Sequence, residues 1–218
     1  MHADAIVVGL GAMGSATADE LAGRGLRVLG LDAFSRGHAN GSSHGPTRII
    51  RRIVEEAPFY VPLATDAIER WDALTADTGT ELFVRNGVLR VAKPGSDLLA
   101  MFRASADAHG LPYDPLTPAE IAARFPAFTI PDGYAGVFEP DAGFVYAARA
   151  VATLQDRAER RGATLRFDEP VLEWQSGHGR VAVTTPGGVY EAEQLVVTAG
   201  AWTGRLDHRV RQSAHQHR

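Results

Sequence analysis

The stretch AIVVGLGAMG, Ala5 to Gly14, limits the fold more than any other part of this chain. It is an apolar run that breaks into glycine, the pattern of a strand buried on both faces. AMGSATADELAGR follows, Ala12 to Arg24, with small and apolar residues at helical spacing, and Gly25 is a natural stop. RVLGLD is a second short apolar run that ends on Asp32. Strand, turn, helix and strand within about 30 residues make one βαβ unit. Gly9, Gly11 and Gly14 spell G-x-G-x-x-G inside it. Gly9 permits the tight turn, Gly11 lets backbone approach a pyrophosphate, and Gly14 lets the helix pack close to the sheet. The helix start, Ala12 and Met13, offers free N–H groups and partial positive charge to that pyrophosphate. Asp32 stands where a carboxylate holds ribose hydroxyls and repels a 2′-phosphate. The fingerprint predicts a nucleotide with an ADP half. It does not separate NAD from FAD.

Composition narrows the remaining choices. The net charge of −4 gives no basic face for nucleic acid. No apolar run is long enough to span a bilayer. MHADAIVVGL carries no cationic leader, so a cytoplasmic location is expected. The chain has no cysteine. Disulfides, thiolate metal sites, cysteine nucleophiles and thioether cofactor links are therefore excluded, and no metal site is expected.

Further along, Glu55 to Thr78 reads as a helix with Leu63, Ala67, Trp71 and Leu74 on one face. Gly87 to Ala92 alternates as a strand, and DLLAMFRASADAHG is a helix that closes at Gly110. TPAEIAARFP is a short helix with Thr117 and Glu120 as a capping box, ended by Pro126. Two short strands flank the Pro140-Asp141 turn, and Ala147 to Gly162 is helical. From Ala163 the pattern turns to β, with Ser176-Gly177 and Pro186-Gly187-Gly188 as hairpin punctuation. The arginine- and histidine-rich end reads as a disordered tail.

Six residues after Asp32 begins HANGSSHGPTRIIRR, His38 to Arg52. A nicotinamide dehydrogenase would continue here into further βα units. This chain instead has a glycine- and serine-rich loop, able to lay N–H groups and hydroxyls against a cofactor, and then three arginines. Arg48 and Arg51, three apart, share a face if the segment is a helical turn. One fixed guanidinium would favour the negative charge of a reduced flavin ring. A second would grip an amino-acid carboxylate through a bidentate pair. Arg52 is expected at the surface.

With VVGLGAMGSATADELAGRGLRVLGLDAF, HANGSSHGPTRIIR, YVPLA at Tyr60, FEPDAGFV at Phe138 and LVVTAGAW at Leu195, the sequence resembles the monomeric sarcosine oxidase and N-methyltryptophan oxidase family of flavoenzymes, within the D-amino-acid-oxidase-like group. The resemblance runs from about Ala5 to Leu206. It implies an α/β fold: a Rossmann-like FAD-binding domain with part of an α+β substrate domain, truncated at the C-terminus. The domains implied are 1–80 with 148–206 for FAD, 81–147 for substrate, and a tail at 207–218. The activity implied is oxidation of a secondary amino acid by hydride transfer to FAD, with O₂ as electron acceptor and hydrogen peroxide as product.

Residue by residue, the resemblance places Gly9, Gly11, Ala12, Met13, Gly14, Asp32, Ala33, Ser42 and Ser43 at the cofactor. Val171 falls at adenine, and Gly200 and Trp202 near the phosphates. His44 and Thr47 would line the flavin site, with His44 tuning Arg48. Arg48 would sit against the ring, and Arg51 would bind the substrate carboxylate. Two departures stand out. Val54 occupies the position of a family tyrosine. The family also runs to nearly twice this length, its C-terminal half supplying the flavin-linking cysteine, a lysine for O₂ reduction and much of the substrate cage. FAD would therefore be held without a covalent bond, and apolar sheet edges are expected to be exposed. A catalytically inactive remnant, or a half-protein that needs a complementary chain, is the alternative. An NAD-dependent dehydrogenase rests on the fingerprint alone, and the His38–Arg51 block opposes it.

Overall fold

A computed structural model describes residues 2–177 and 179–207. The tail expected at 207–218 lies outside them apart from the backbone of Asp207. The strands and helices, in chain order, are β1 (His2–Val8), α1 (Ala12–Gly23), β2 (Val28–Leu31), β3 (Arg48–Ile50), α2 (Val61–Thr78), β4 (Phe83–Val84), β5 (Val88–Ala92), α3 (Leu98–Ala108), β6 (Asp114–Leu116), α4 (Pro118–Arg124), β7 (Ala135–Glu139), β8 (Gly143–Val145), α5 (Ala147–Arg160), β9 (Thr164–Arg166), β10 (Glu173–Gly177), β11 (Arg180–Thr185), β12 (Gly188–Val197) and α6 (Thr203–Asp207). Among the described residues they form two compact units, one of residues up to 46 together with those from 147 onward, the other of residues 47–146.

The first unit is built on a six-stranded sheet in the order β10-β11-β12-β1-β2-β9. β12, β1, β2 and β9 run parallel, and the β10–β11–β12 meander is antiparallel. Because side chains alternate along β1, Val7 faces one side, with Leu10, Ala18, Ala22 and Ala158. Ile6 and Val8 face the other, with Leu29, Leu31, Val181, Val183 and Tyr190. The buried stripe of α1 is Gly14, Ser15, Ala18, Asp19 and Ala22. Small residues at that spacing let α1 lie close to α5 and the sheet. Asp19 accepts a hydrogen bond from Arg161 Nη1 at 3.0 Å, which fastens the two helices together.

The second unit holds two three-stranded sheets, β3-β8-β4 and β5-β7-β6. Ile53, Ala92, Leu99, Phe102, Ala106 and Val137 form its core. Residues 47–80, grouped by the sequence with the FAD domain, cluster here, because β3 pairs with β8 in the register Arg48↔Val145. The helix expected from Glu55 starts at Val61, after a 3₁₀ turn at Pro58–Tyr60. Its buried face is Val61, Ile68 and Leu74, while Leu63 is 61% exposed. The capping box of α4 is present: Thr117 Oγ1 accepts from Glu120 N, and Glu120 Oε2 accepts from Thr117 N. Thr117→Ala is expected to destabilise the second unit by about 1 kcal/mol, read as a shift in the urea unfolding midpoint.

Candidate functional site: a backbone cradle and an arginine segment

The glycine fingerprint forms the turn from β1 into α1. Gly9 has φ of +91° and lies against the backbone of Thr198, where a Cβ would come within 2.7 Å of the carbonyl oxygen. A Cβ on Gly14 would meet Gly9 O at 1.7 Å. Gly11 is the N-cap of α1, and a Cβ there would meet only Ser43, at 3.3 Å. The turn at Gly9 and the tight packing at Gly14 thus each need their glycine. Thr198 Oγ1 donates to Gly9 O at 2.8 Å, and Gln155 Nε2 donates to Leu10 O at 2.8 Å. Neither residue was singled out from sequence, since only the fold brings them to this loop.

The first-turn amides of Ala12, Met13 and Gly14 have no partner within the helix. Ser43 Oγ accepts from Ala12 N at 3.0 Å, so the loop expected to meet a cofactor reaches the helix start. Met13 is 74% exposed at that end. Asp32 is buried. Its Oδ2 accepts from Leu10 N at 2.7 Å and its Oδ1 from Phe34 N at 3.0 Å, while His38 Nε2 lies 3.3 Å from Oδ1. Ala33, next to it in sequence, and Ser42 are exposed, and Val171 is buried in the sheet core. Gly200 and Trp202 lie in a 3₁₀ turn, with Trp202 Nε1 donating to Asn40 O at 3.3 Å. His44 Nδ1 bonds Gly41 O, so its ring orders the loop locally.

Thr47 and Arg48 are exposed at the start of β3. Here the helical turn expected for Arg48 and Arg51 is corrected. The segment pairs with β8 through Ile49 and Ile50, β-branched residues suited to a strand. Spacing of three on a strand does not give a shared face. Arg51 is tied by Nη1 to Glu55 Oε1 at 2.9 Å and by Nη2 to Glu56 Oε1 at 3.0 Å. Burial pulls the Arg51 pKa down, but the Glu56 bond and the charges of Glu55, Glu56 and Glu139 prevail and raise it. The bond from Arg51 in turn lowers the Glu56 pKa.

Arg52, expected at the surface, is half-buried, with Nε donating to Thr65 Oγ1 at 3.0 Å. Behind it Glu139, 1% exposed, accepts from Arg52 N at 2.6 Å and Ile53 N at 2.9 Å. Glu139 Oε2 pairs with Arg90 Nη1 at 3.0 Å, and Arg90 lies over the Phe102 ring at 4.7 Å. Neither Glu139 nor Arg90 stood out in the sequence, where each sits in an ordinary strand. No metal-binding group of His, Asp and Glu occurs among the described residues.

A βαβ unit with a G-x-G-x-x-G turn, and a second α+β unit inserted in the chain, is the architecture of a Rossmann-type dinucleotide-binding fold. The chain belongs to the FAD dependent oxidoreductase family (DAO), whose sequence profile matches residues 4–218. It is 39% identical over 206 residues to the N-methyl-L-tryptophan oxidases of Yersinia pestis (strain Pestoides F) and Yersinia pseudotuberculosis serotype O:1b, covering 94% of this chain and 56% of theirs. Among solved structures it is similar to NikD, an unusual amino acid oxidase essential for nikkomycin biosynthesis. That match has a TM-score of 0.86 and 30% identity, over 95% of this chain and 53% of NikD. Glycine oxidase from Geobacillus kaustophilus matches with a TM-score of 0.82 and 26% identity, over 95% of this chain and 58% of its own. The chain thus spans about half the length of its relatives. No described helix is long and apolar enough to cross a membrane.

Proposed function

We propose that this chain supplies the nucleotide-holding part, and some of the substrate-holding part, of an FAD-dependent oxidase of secondary amino acids. The observation that carries the proposal is the side-chain-free cradle at Gly9, Gly11 and Gly14, within a family profile that runs over almost the whole chain. The cradle fits the ADP half of FAD: the first-turn amides of α1 have no partner within the helix, and the acid that would repel a 2′-phosphate directly follows β2. Gly9, Gly11, Ala12, Met13, Gly14, Ala33, Ser42 and Ser43 are assigned to the phosphates and ribose with Asp32, Val171 to adenine, and Gly200 and Trp202 to the phosphate end.

When bound, FAD supplies a hydride acceptor without a covalent link to this cysteine-free chain. His44 and Thr47 are assigned to lining the flavin site. Arg48 is assigned to placing fixed positive charge at the ring, which favours its reduced, negatively charged form. Arg51 is assigned to the substrate carboxylate. Two of its five N–H donors are committed to Glu55 and Glu56, so a carboxylate would use the others. O₂ is the proposed final electron acceptor, giving hydrogen peroxide.

The relatives are nearly twice as long, which favours a second reading in which catalysis needs a complementary chain. Mixed with FAD and desalted, the 218-residue chain is expected to emerge colourless or faintly yellow, and to consume no oxygen with sarcosine. It is still expected to bind FAD and ADP in an equilibrium titration. A stoichiometric yellow protein that consumes oxygen with sarcosine would overturn this division of labour. Failure to bind either nucleotide at millimolar concentration would overturn the nucleotide assignment itself.

A further inference from the structure

Among the described residues, His38 is the only one whose side chain lies at the Asp32 carboxylate; its other neighbours there are the backbone amides of Leu10 and Phe34. Its Nδ1 accepts a hydrogen bond from Asn40 N at 3.0 Å. A neutral imidazole that accepts at Nδ1 carries its proton on Nε2. That nitrogen faces Asp32 Oδ1 at 3.3 Å, and the two side chains are 19% and 7% exposed. The ring is not free to swing. It packs on Phe34 with centroids 5.0 Å apart, and Phe34 packs edge-on against Trp202 at 5.6 Å. Trp202 in turn donates to Asn40 O and lies beneath Arg205, 4.4 Å away. Both polar groups of Asn40's backbone are therefore gripped by the two aromatic side chains whose rings flank Phe34.

This arrangement decides what Asp32 has left to offer. A carboxylate has about four acceptor positions. Phe34 N and His38 Nε2 address Oδ1, and Leu10 N takes one position on Oδ2. What remains is an acceptor position on Oδ2. We propose that His38 is a positioning residue that aims Asp32, holding Oδ1 so that Oδ2 is presented to a ribose hydroxyl of an adenine nucleotide. The inference rests on the nucleotide assignment made above and deepens it. His38 itself touches neither substrate nor reacting atoms.

The test is binding of ADP and of 2′,3′-dideoxy-ADP to the 218-residue chain by calorimetric titration, with His38→Ala, His38→Gln and His38→Asn compared. Wild type is expected to prefer ADP. His38→Ala is expected to weaken ADP by about fivefold to tenfold, the scale of one ordinary hydrogen bond, and to leave dideoxy-ADP unchanged. Glutamine, whose amide N–H reaches Asp32, is expected to restore much of the ADP affinity. Asparagine, which reaches only Asn40 N, is expected not to. Equal weakening of both ligands, no weakening of either, or rescue by asparagine and not glutamine would overturn the inference and leave His38 as an anchor of its loop. A wild-type chain that binds neither ligand would remove the nucleotide assignment, and the role of His38 with it.

Discussion

Gly14→Ala is expected to cost about 3 kcal/mol or more, at or beyond the upper end of ordinary overpacking. The added Cβ would sit 1.7 Å from Gly9 O and 2.7 Å from Thr198 Oγ1. Neither obstacle is a flexible side-chain tip. Gly9 is held by its N–H to Leu31 O at 2.8 Å, and its carbonyl is held by Thr198. Relief would require α1 to back away from the sheet, which would break its packing on α5 and the Asp19–Arg161 bond. Since whole domains are stable by only about 5–15 kcal/mol, much of the first unit's stability would go. Gly25→Ala is the control: φ is +81° but the Cβ would meet nothing within 4 Å. It should cost only about 1–2 kcal/mol of backbone strain. Urea unfolding read by Trp174 and Trp202 fluorescence would measure both. Equal midpoints for the two variants would refute the clash.

Glu139→Ala is expected to cost about 3–5 kcal/mol in the second unit, the scale for breaking a buried ion pair by removing one partner. Three donors lose their acceptor: Arg52 N, Ile53 N and Arg90 Nη1. The Arg90 side chain is 10% exposed and cannot turn to water, although Glu55 Oε2 at 3.3 Å retains part of its compensation. Glu139→Gln keeps an oxygen for the two amides but loses the charge opposite Arg90. It is expected to cost roughly half as much. Trp71 lies in the second unit, so its fluorescence in a Trp174→Phe, Trp202→Phe background would follow this unit alone. An alanine variant within about 1 kcal/mol of wild type would show that the network contributes little.

The β1–α1–β2 order, the capping box at Thr117 and the two hairpins after Ala163 were all legible in sequence, because each is encoded by residues a few positions apart. What was not legible depends on partners distant in the chain. Arg48 to Ile50 read as a helical turn because spacing alone cannot reveal Val145, Phe144 and Gly143 waiting to pair with it. The same pairing draws residues 47–80 into the second unit. Around Asp32 the acid itself was visible, but its bonds to Leu10 N, Phe34 N and the flank of His38 were not. Arg51 and Glu55 stand four apart and could have been matched from sequence. The burial of Glu55 and its link to Arg90 could not.

Strand β1 takes as its neighbour a strand distant in sequence, β12, with Ile6 opposite Leu195. On a ribosome that releases residues from the N-terminus, His2–Val8 must wait until Gly188–Val197 has been made before β12 can pair with it. The intervening unit, residues 47–146, can gather its own core meanwhile. Pairings so remote close slowly, because the loop entropy is spent before any contact is gained. The glycine turn, which leans on Thr198, therefore takes its final shape only after β12 has emerged.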